Sequence, residues 1–178
     1  CCAVRRRLNV VKSFYVKYDR KLPELVADFC QYYAPFPLHE VIFYYDSTAL
    51  GSNYAVNDQD FQWVITHELQ KHGWRVRPVY IGAPMRHMEK YTLINRGFAG
   101  QARLVPYFNE AQNQDLLVSV QTAGVYNGKK DKRGEKLAET EEDKLESRTD
   151  GSDAFDTLYI GCERFPQQAF VLRVTGGG

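Results

Sequence analysis

The sequence is short of several signals, and each shortage narrows what the chain does. Its four cysteines, Cys1, Cys2, Cys30 and Cys162, form no CxxC pair and follow no regular spacing. They make neither a zinc site nor a disulfide framework, which favours a reducing compartment. No stretch approaches the roughly 18 apolar residues of a membrane helix, so no membrane partner is expected. The opening residues, CCAVRRR, put charge after the apolar residues with no apolar run following, unlike a secretory signal. There is no GxxxxGK[ST] phosphate loop, which argues against ATP hydrolysis. There is no GxSxG, and no serine or cysteine constellation for nucleophilic catalysis is visible. No internal repeat appears. Charge of either sign is also not in excess: 23 Lys and Arg against 22 Asp and Glu leave a net +1. A nucleic-acid surface would therefore have to be a local patch.

What is present is ordinary for a soluble globular chain. The 178 residues are 44% hydrophobic and 25% charged, enough for one domain over 1–178 with a sizeable core. Aromatics reach 13%, with 12 Tyr and 10 Phe, read first as core and sheet packing.

The organising stretch is Glu40–Asn53, EVIFYYDSTALGSN. Val41–Tyr45 is an unbroken apolar and aromatic run, which predicts a strand buried on both faces of a sheet. Asp46 ends it, and small polar residues then form a turn. A carboxylate at the C-terminal edge of such a strand stands where open α/β sheets place ligands; the plainer reading is a turn-capping Asp.

Before it, Cys1–Val4 and Leu8–Tyr18 read as two adjacent strands around the basic Arg5–Arg7. A chain that starts in mid-strand pattern suggests a fragment. Leu22, Leu25, Val26, Phe29, Cys30 and Tyr33 keep helical spacing, with Pro23 in the first turn and Pro35 and Pro37 as the stop. After Asp46, Asn57 or Asp58 is a cap for a second helix bearing Phe61, Val64, Ile65 and Leu69, closed by Gly73. Trp74–Ile81 reads as a strand, with Pro78 arguing for an edge or a bulge. A third helix is expected from near Pro84, with Met88, Tyr91, Ile94 or Asn95, and Phe98 on its face. A strand over Arg103–Phe108 and a helix near Ala111–Ala123 follow. From Lys129 to Arg148, 14 of 20 residues are charged, basic first and acidic later, which predicts a solvated loop or hairpin. The last helix, Ser152–Phe165, carries Phe155, Leu158, Tyr159, Cys162 and Phe165 on one face. A Phe170–Val174 strand closes the chain. Adjoining strands followed by alternation with helices describe a mixed sheet covered by helices on both faces.

His39, His67, His72 and His87 are scattered, and the five-residue step from His67 to His72 is wrong for two zinc ligands on one helix face. Structural or surface roles are expected for them, with His87 the one to watch. Lys129, Lys130, Lys132 and Arg133 could contact phosphates without reading sequence.

Asp46 after a buried strand and Asp153 opening a late amphipathic helix stand where the ribonuclease H-like nucleases place their acids. That chemistry holds two hard cations roughly 3.5–4 Å apart, and carboxylates suit Mg²⁺ or Mn²⁺. The wording of VIFYYDSTALGSN, HGWRVRPVYIGAPMRHMEKY, KKDKRGEK and above all DGSDAFDTLYIG resembles the nuclease domain of phage and prophage terminase large subunits, which package DNA. The resemblance covers roughly Leu8–Phe165. It implies a ribonuclease H-like fold and hydrolysis of double-stranded DNA with two Mg²⁺ or Mn²⁺ ions. Asp46 would be the second acidic ligand, Asp153 the third, and Asp156 a further ligand or a support. It implies the terminase ATPase domain, the small terminase subunit and the portal as partners, in the cytoplasm of a bacterial host. The family's first acid, on its first strand, has no counterpart here, so that strand is expected upstream of Cys1 and the fragment's activity depends on it. In another register Asp46 is the first acid and Asp58 or a later acid the second. Two alternatives are a junction resolvase on the same fold, told apart by cleavage of four-way junctions, and a non-catalytic module that binds DNA or the portal, told apart by indifference to Asp46→Asn and Asp153→Asn.

Overall fold

The computed structural model describes residues 5–16, 20–50, 60–133 and 149–166. Over these the chain is a mixed α/β protein with five helices and small sheets. Strand β1 (Arg6–Val10) leads through helix α1 (Leu22–Tyr33) to β2 (Glu40–Tyr45). Helix α2 (Phe61–Lys71) and β3 (Arg75–Tyr80) follow, then α3 (His87–Phe98) and β4 (Leu104–Phe108). Helix α4 (Gln114–Thr122), a hairpin of β5 (Val125–Tyr126) and β6 (Lys129–Lys130), and α5 (Asp150–Arg164) complete the order.

The strands pair in twos. β1 runs parallel to β4, with Leu8 opposite Pro106. β2 runs parallel to β3, with Phe43 opposite Pro78 and Tyr45 opposite Tyr80. Parallel neighbours need a crossover, and α2 supplies it between β2 and β3. Each proline lies on a strand with one partner among the described residues, so its missing N–H costs no ladder bond on the open side.

The pairing corrects the reading of β2 as a central strand. Among the described residues it has a neighbour on one side alone, and all six of its residues are half-buried. Nor do β1 and β2 join one mixed sheet by hydrogen bonds among those residues. The N-terminal reading changes too. Arg6 and Arg7 lie inside β1, and the run Val11–Val16 is not a strand. Phe14 packs instead on the rings of Phe29 and Tyr32, 5.5 and 5.7 Å between centroids. Cys1–Val4, Asn57, Asp58, residues 134–148 and Phe170–Val174 lie outside the described residues.

Two cores form. Val10, Ile94, Leu104, Leu116, Phe155 and Tyr159 gather between β1, β4, α3, α4 and α5. Val26, Cys30, Leu69 and Trp74 gather between α1, α2 and the turn into β3, with Val41 and Val76 beneath. Helix α5 ties the halves together. Its Tyr159 hydroxyl donates to the Leu104 carbonyl at 2.8 Å, its Gly161 lies against the Tyr44 ring, and Arg164 Nη1 donates to the Ile81 carbonyl at 2.7 Å.

The helix ends follow local chemistry. Asp60, rather than Asn57 or Asp58, caps α2 by accepting from the Trp63 N–H at 2.7 Å. Gly73 closes α2 at φ +80, where a side chain would be strained. Helix α3 starts three residues after Pro84. Its buried positions are Ile94 and Gly97, while Met88 and Tyr91 are exposed. No helix among the described residues is long and apolar enough to cross a membrane.

Candidate functional site

Asp153 sits in the first turn of α5, with Asp156 one turn on. Residues three apart share a helix face, so both carboxylates look the same way. Three lysines from two other elements meet them. Lys130 Nζ, on β6, donates to Asp153 Oδ1 at 2.6 Å, to Asp156 Oδ2 at 3.0 Å and to Ser152 Oγ at 2.9 Å. Lys90 Nζ, on α3, lies 2.6 Å from Asp156 Oδ2 and 3.9 Å from Asp153 Oδ1. Lys132 Nζ donates to Asp153 Oδ2 at 2.9 Å.

The local sequence explains why the hairpin reaches the helix. Asn127 and Gly128 take φ of 50 and 73, the positive angles that a two-residue turn between antiparallel strands needs. That turn reverses the chain after Tyr126 and aims Lys130 at α5. The Lys130 N–H donates to His87 Nε2 at the start of α3, and Asp131 N–H donates to the Gly124 carbonyl at 2.8 Å. The α5 start is pinned as well: Ser152 N–H donates to Ser119 Oγ at 3.0 Å, and Ser152 Oγ to the Thr149 carbonyl at 2.8 Å.

Burial decides the electrostatics. The Lys130 side chain is 8% exposed and that of Asp156 13%, whereas that of Asp153 is 37% exposed. Burial pushes the Asp153 carboxyl up, but the hydrogen bonds and charges of Lys130 and Lys132 outweigh it, and the carboxyl ends below its ordinary value. His87 is pushed down by burial first and by Lys90 and Lys130 next, against the opposing pull of Asp153 and Asp156. It therefore favours the neutral form, which its acceptance of the Lys130 N–H requires.

Asp46 is not part of this cluster. Its Oδ1 accepts from the Thr48 N–H at 2.8 Å, capping a short 3₁₀ turn over Ser47–Ala49. The strand before Asp46 meets α5 through Tyr44, whose ring lies against Gly161. Asp153 is eight residues before Gly161, or about 12 Å of helix at 1.5 Å per residue. The structure thus brings Asp153 and Asp156 together around the lysines, while the hydrogen bonds of Asp46 go to Thr48 in its own turn. Among the described residues no group of three or more His, Cys, Asp or Glu is placed to hold a metal ion. β1, RRLNV, carries no acid.

The basic residues divide. Lys130 and Lys132 turn inward to the carboxylates, Arg133 pairs with Asp131 at 2.7 Å and lies over the Tyr126 ring at 3.8 Å, and Lys129 is exposed. The Arg133 hydrogen bonds hold the Asp131 carboxyl at about 2. Sequence reasoning missed Lys90, whose neighbours in MEKY give no hint that its side chain is 17% exposed and its ammonium paired. It also missed the hairpin, although Asn-Gly between β-favouring residues is a strong turn signal. His39 and His67 stack on Trp74 and Trp63 at 4.9 and 4.5 Å.

The donor set is mixed in its suitability for a divalent cation. Carboxylate and hydroxyl oxygens are the right chemistry for Mg²⁺ or Mn²⁺. As arranged, however, three ammonium groups face two carboxylates, and two of them contact the oxygens a cation would take. The cluster in this arrangement fits ammonium and does not fit a metal ion. No family model, no curated protein and no solved structure matches the chain.

Proposed function

We propose that this chain is the metal-dependent DNA endonuclease domain of a phage or prophage terminase large subunit. Its fold would be of ribonuclease H-like type, and its reaction the hydrolysis of phosphodiesters in double-stranded DNA. The reading rests on the four sequence stretches that resemble the family. One observation carries it further: the acids of DGSDAFDTLYIG stand together at the start of α5, beside a hairpin whose lysines have phosphate-binding chemistry. In this reading Asp46 and Asp153 hold Mg²⁺ or Mn²⁺ and Asp156 supports them. Lys129, Lys130, Lys132 and Arg133 contact the DNA backbone, in the bacterial host's cytoplasm, with the ATPase domain, the small subunit and the portal as partners.

Incubation of supercoiled plasmid with Mn²⁺ tests the proposal. The assay uses this chain and a version extended upstream, because β1 offers no counterpart of the family's first acid. Nicked and linear products that disappear with a chelator are the expected result. An intact plasmid in both arms would sink the nuclease reading.

A second reading has a specific observation in its favour. The carboxylates are already neutralised by lysines, and Asp46 caps its own turn, which suits a module that binds DNA or the portal without cutting. Such a module would bind duplex equally well after Asp46→Asn.

A further inference from the structure

The sheet of β1 and β4 has one open face. Side chains alternate across a strand. On β1, Arg6 Nη1 donates to the Cys162 carbonyl of α5 at 3.2 Å, and Leu8 and Val10 join the core. Arg5, Arg7 and Asn9 therefore turn away from α5, and all three are exposed. On β4, Val105 pairs with Arg7 and the exposed Tyr107 with Asn9. The same register, carried one step back from Arg6 and Leu104, sets Arg5 opposite Arg103, which is exposed too. Parallel sheets are ordinarily covered on both faces. Among the described residues no element covers this one, and its six residues include three arginines and no carboxylate.

Like charges directly opposite one another weaken a ladder, yet Arg5, Arg7 and Arg103 pair with no acid among the described residues. Arg6, on the inner face between Arg5 and Arg7, does have one, Glu163 at 3.3 Å. Arg7 lies over the Tyr107 ring, 4.0 Å from its centroid. That stacking holds the guanidinium in place and leaves its fork of N–H donors to an acceptor from outside. We propose that this outer face binds the phosphate backbone of a nucleic acid without reading its bases. It is a second contact surface, apart from the hairpin lysines, and it does not rest on the nuclease reading. The guanidinium fork matches phosphate oxygens two at a time. Arginines two apart on a strand stand about 6.6 Å from each other, and neighbouring strands about 4.8 Å, so three guanidinium groups lie within reach of one run of phosphates. A protein partner would want an apolar centre with a polar rim. Here the centre is charged, and the one exposed ring is already covered by a guanidinium.

Fluorescence anisotropy of a labelled duplex tests this on the full chain, titrated at several salt concentrations with a chelator present so that cleavage plays no part. The triple variant Arg5→Gln, Arg7→Gln, Arg103→Gln keeps the hairpin lysines, so whatever it loses belongs to the sheet. It is expected to bind at least about thirtyfold more weakly and to flatten the slope of log K against log salt by about 2–3. An unchanged affinity and slope would overturn the proposal. So would a variant that keeps its duplex affinity and loses affinity for vesicles of phosphatidylserine and phosphatidylcholine, which would make the face a membrane contact. A second measurement needs no variant and so no assumption about folding. Phenylglyoxal modification of the parent chain, read residue by residue by mass spectrometry, should slow at Arg5, Arg7 and Arg103 when duplex is added. Arg75, 82% exposed on β3 and paired with Glu40, should react at its former rate. Equal slowing at all four arginines, or none at the first three, would overturn the proposal.

Discussion

Asn113 shows how much one side chain can hold. It is fully buried at the start of α4, and its amide donates to the carbonyls of Val10, Val11 and Asn109 at 3.0, 3.2 and 2.7 Å. One group thereby fastens the end of β1 to the exit of β4. Asn113→Ala would remove these three bonds, each worth about 0.5–1.5 kcal/mol, although the Val10 and Asn109 carbonyls keep the N–H donors of Asn109 and Gln112. Chemical denaturation should show a loss of about 2–3 kcal/mol. At the cluster, the acid response belongs to His87 and Asp153. Both folded values lie below the ordinary ones, 6.5 for histidine and 3.8 for aspartate. The unfolded chain then binds more protons in each window, so stability rises with pH there. Falling pH should lower the melting temperature first below 6.5, as His87 protonates and loses the Lys130 N–H, and again below 3.8 through Asp153. His87→Gln should remove the first step and Asp153→Asn should shrink the second, to which Asp28 and Asp131 also contribute, in melting curves taken across the range. Asp153 was legible as a candidate because the acid opening an amphipathic helix is visible in the letters. Its lysine partners were not, since Lys90 and Lys130 are 40 residues apart and meet only through the fold.

At the scale of elements, the glycines of α3 and α5 report the closest packing. A methyl at Gly161 would collide with the Tyr44 ring, and one at Gly97 with the Tyr159 ring. An alanine in a helix gains roughly 0.5–1 kcal/mol over glycine, but forced overpacking costs about 1–3 kcal/mol. Gly161→Ala should therefore destabilise in a denaturant titration, despite its better helix propensity. An unchanged or raised midpoint would mean that α5 does not dock on β2 as described. The helices were largely readable because α1, α2 and α5 keep 3.6-residue spacing and have local stops, such as Gly73 after α2. The strands were harder. Val41–Tyr45 has the composition of a doubly buried strand, yet Tyr44 faces α5 while Phe43 and Tyr45 stack on each other at 5.8 Å. Aromatic rings covered by one another and by a helix give the same letters as a strand with two neighbours. Phe14 and Tyr15 likewise have β propensity, but the rings of α1 offer Phe14 a better surface than a ladder does. In α3 the expected apolar face holds at Ile94 and fails at Met88 and Tyr91, which stay outside while Lys90 packs inward by pairing with Asp156.

Over the whole molecule, α5 is the element on which the rest converges. It contributes Phe155 and Tyr159 to one core, touches β2 through Gly161, and presents Asp153 and Asp156 to α3 and the hairpin. Asp46 caps its own turn while Asp153 is bonded to lysines, which makes their joint requirement the most demanding part of the account. The most direct measurement is the rate of Mn²⁺-dependent cleavage of supercoiled plasmid by the upstream-extended chain, compared with Asp46→Asn and Asp153→Asn. The account predicts cleavage by the parent and a fall of about two orders of magnitude or more in each variant, at least the loss typical of removing support from a metal site. Cleavage at the parental rate in both variants would contradict it.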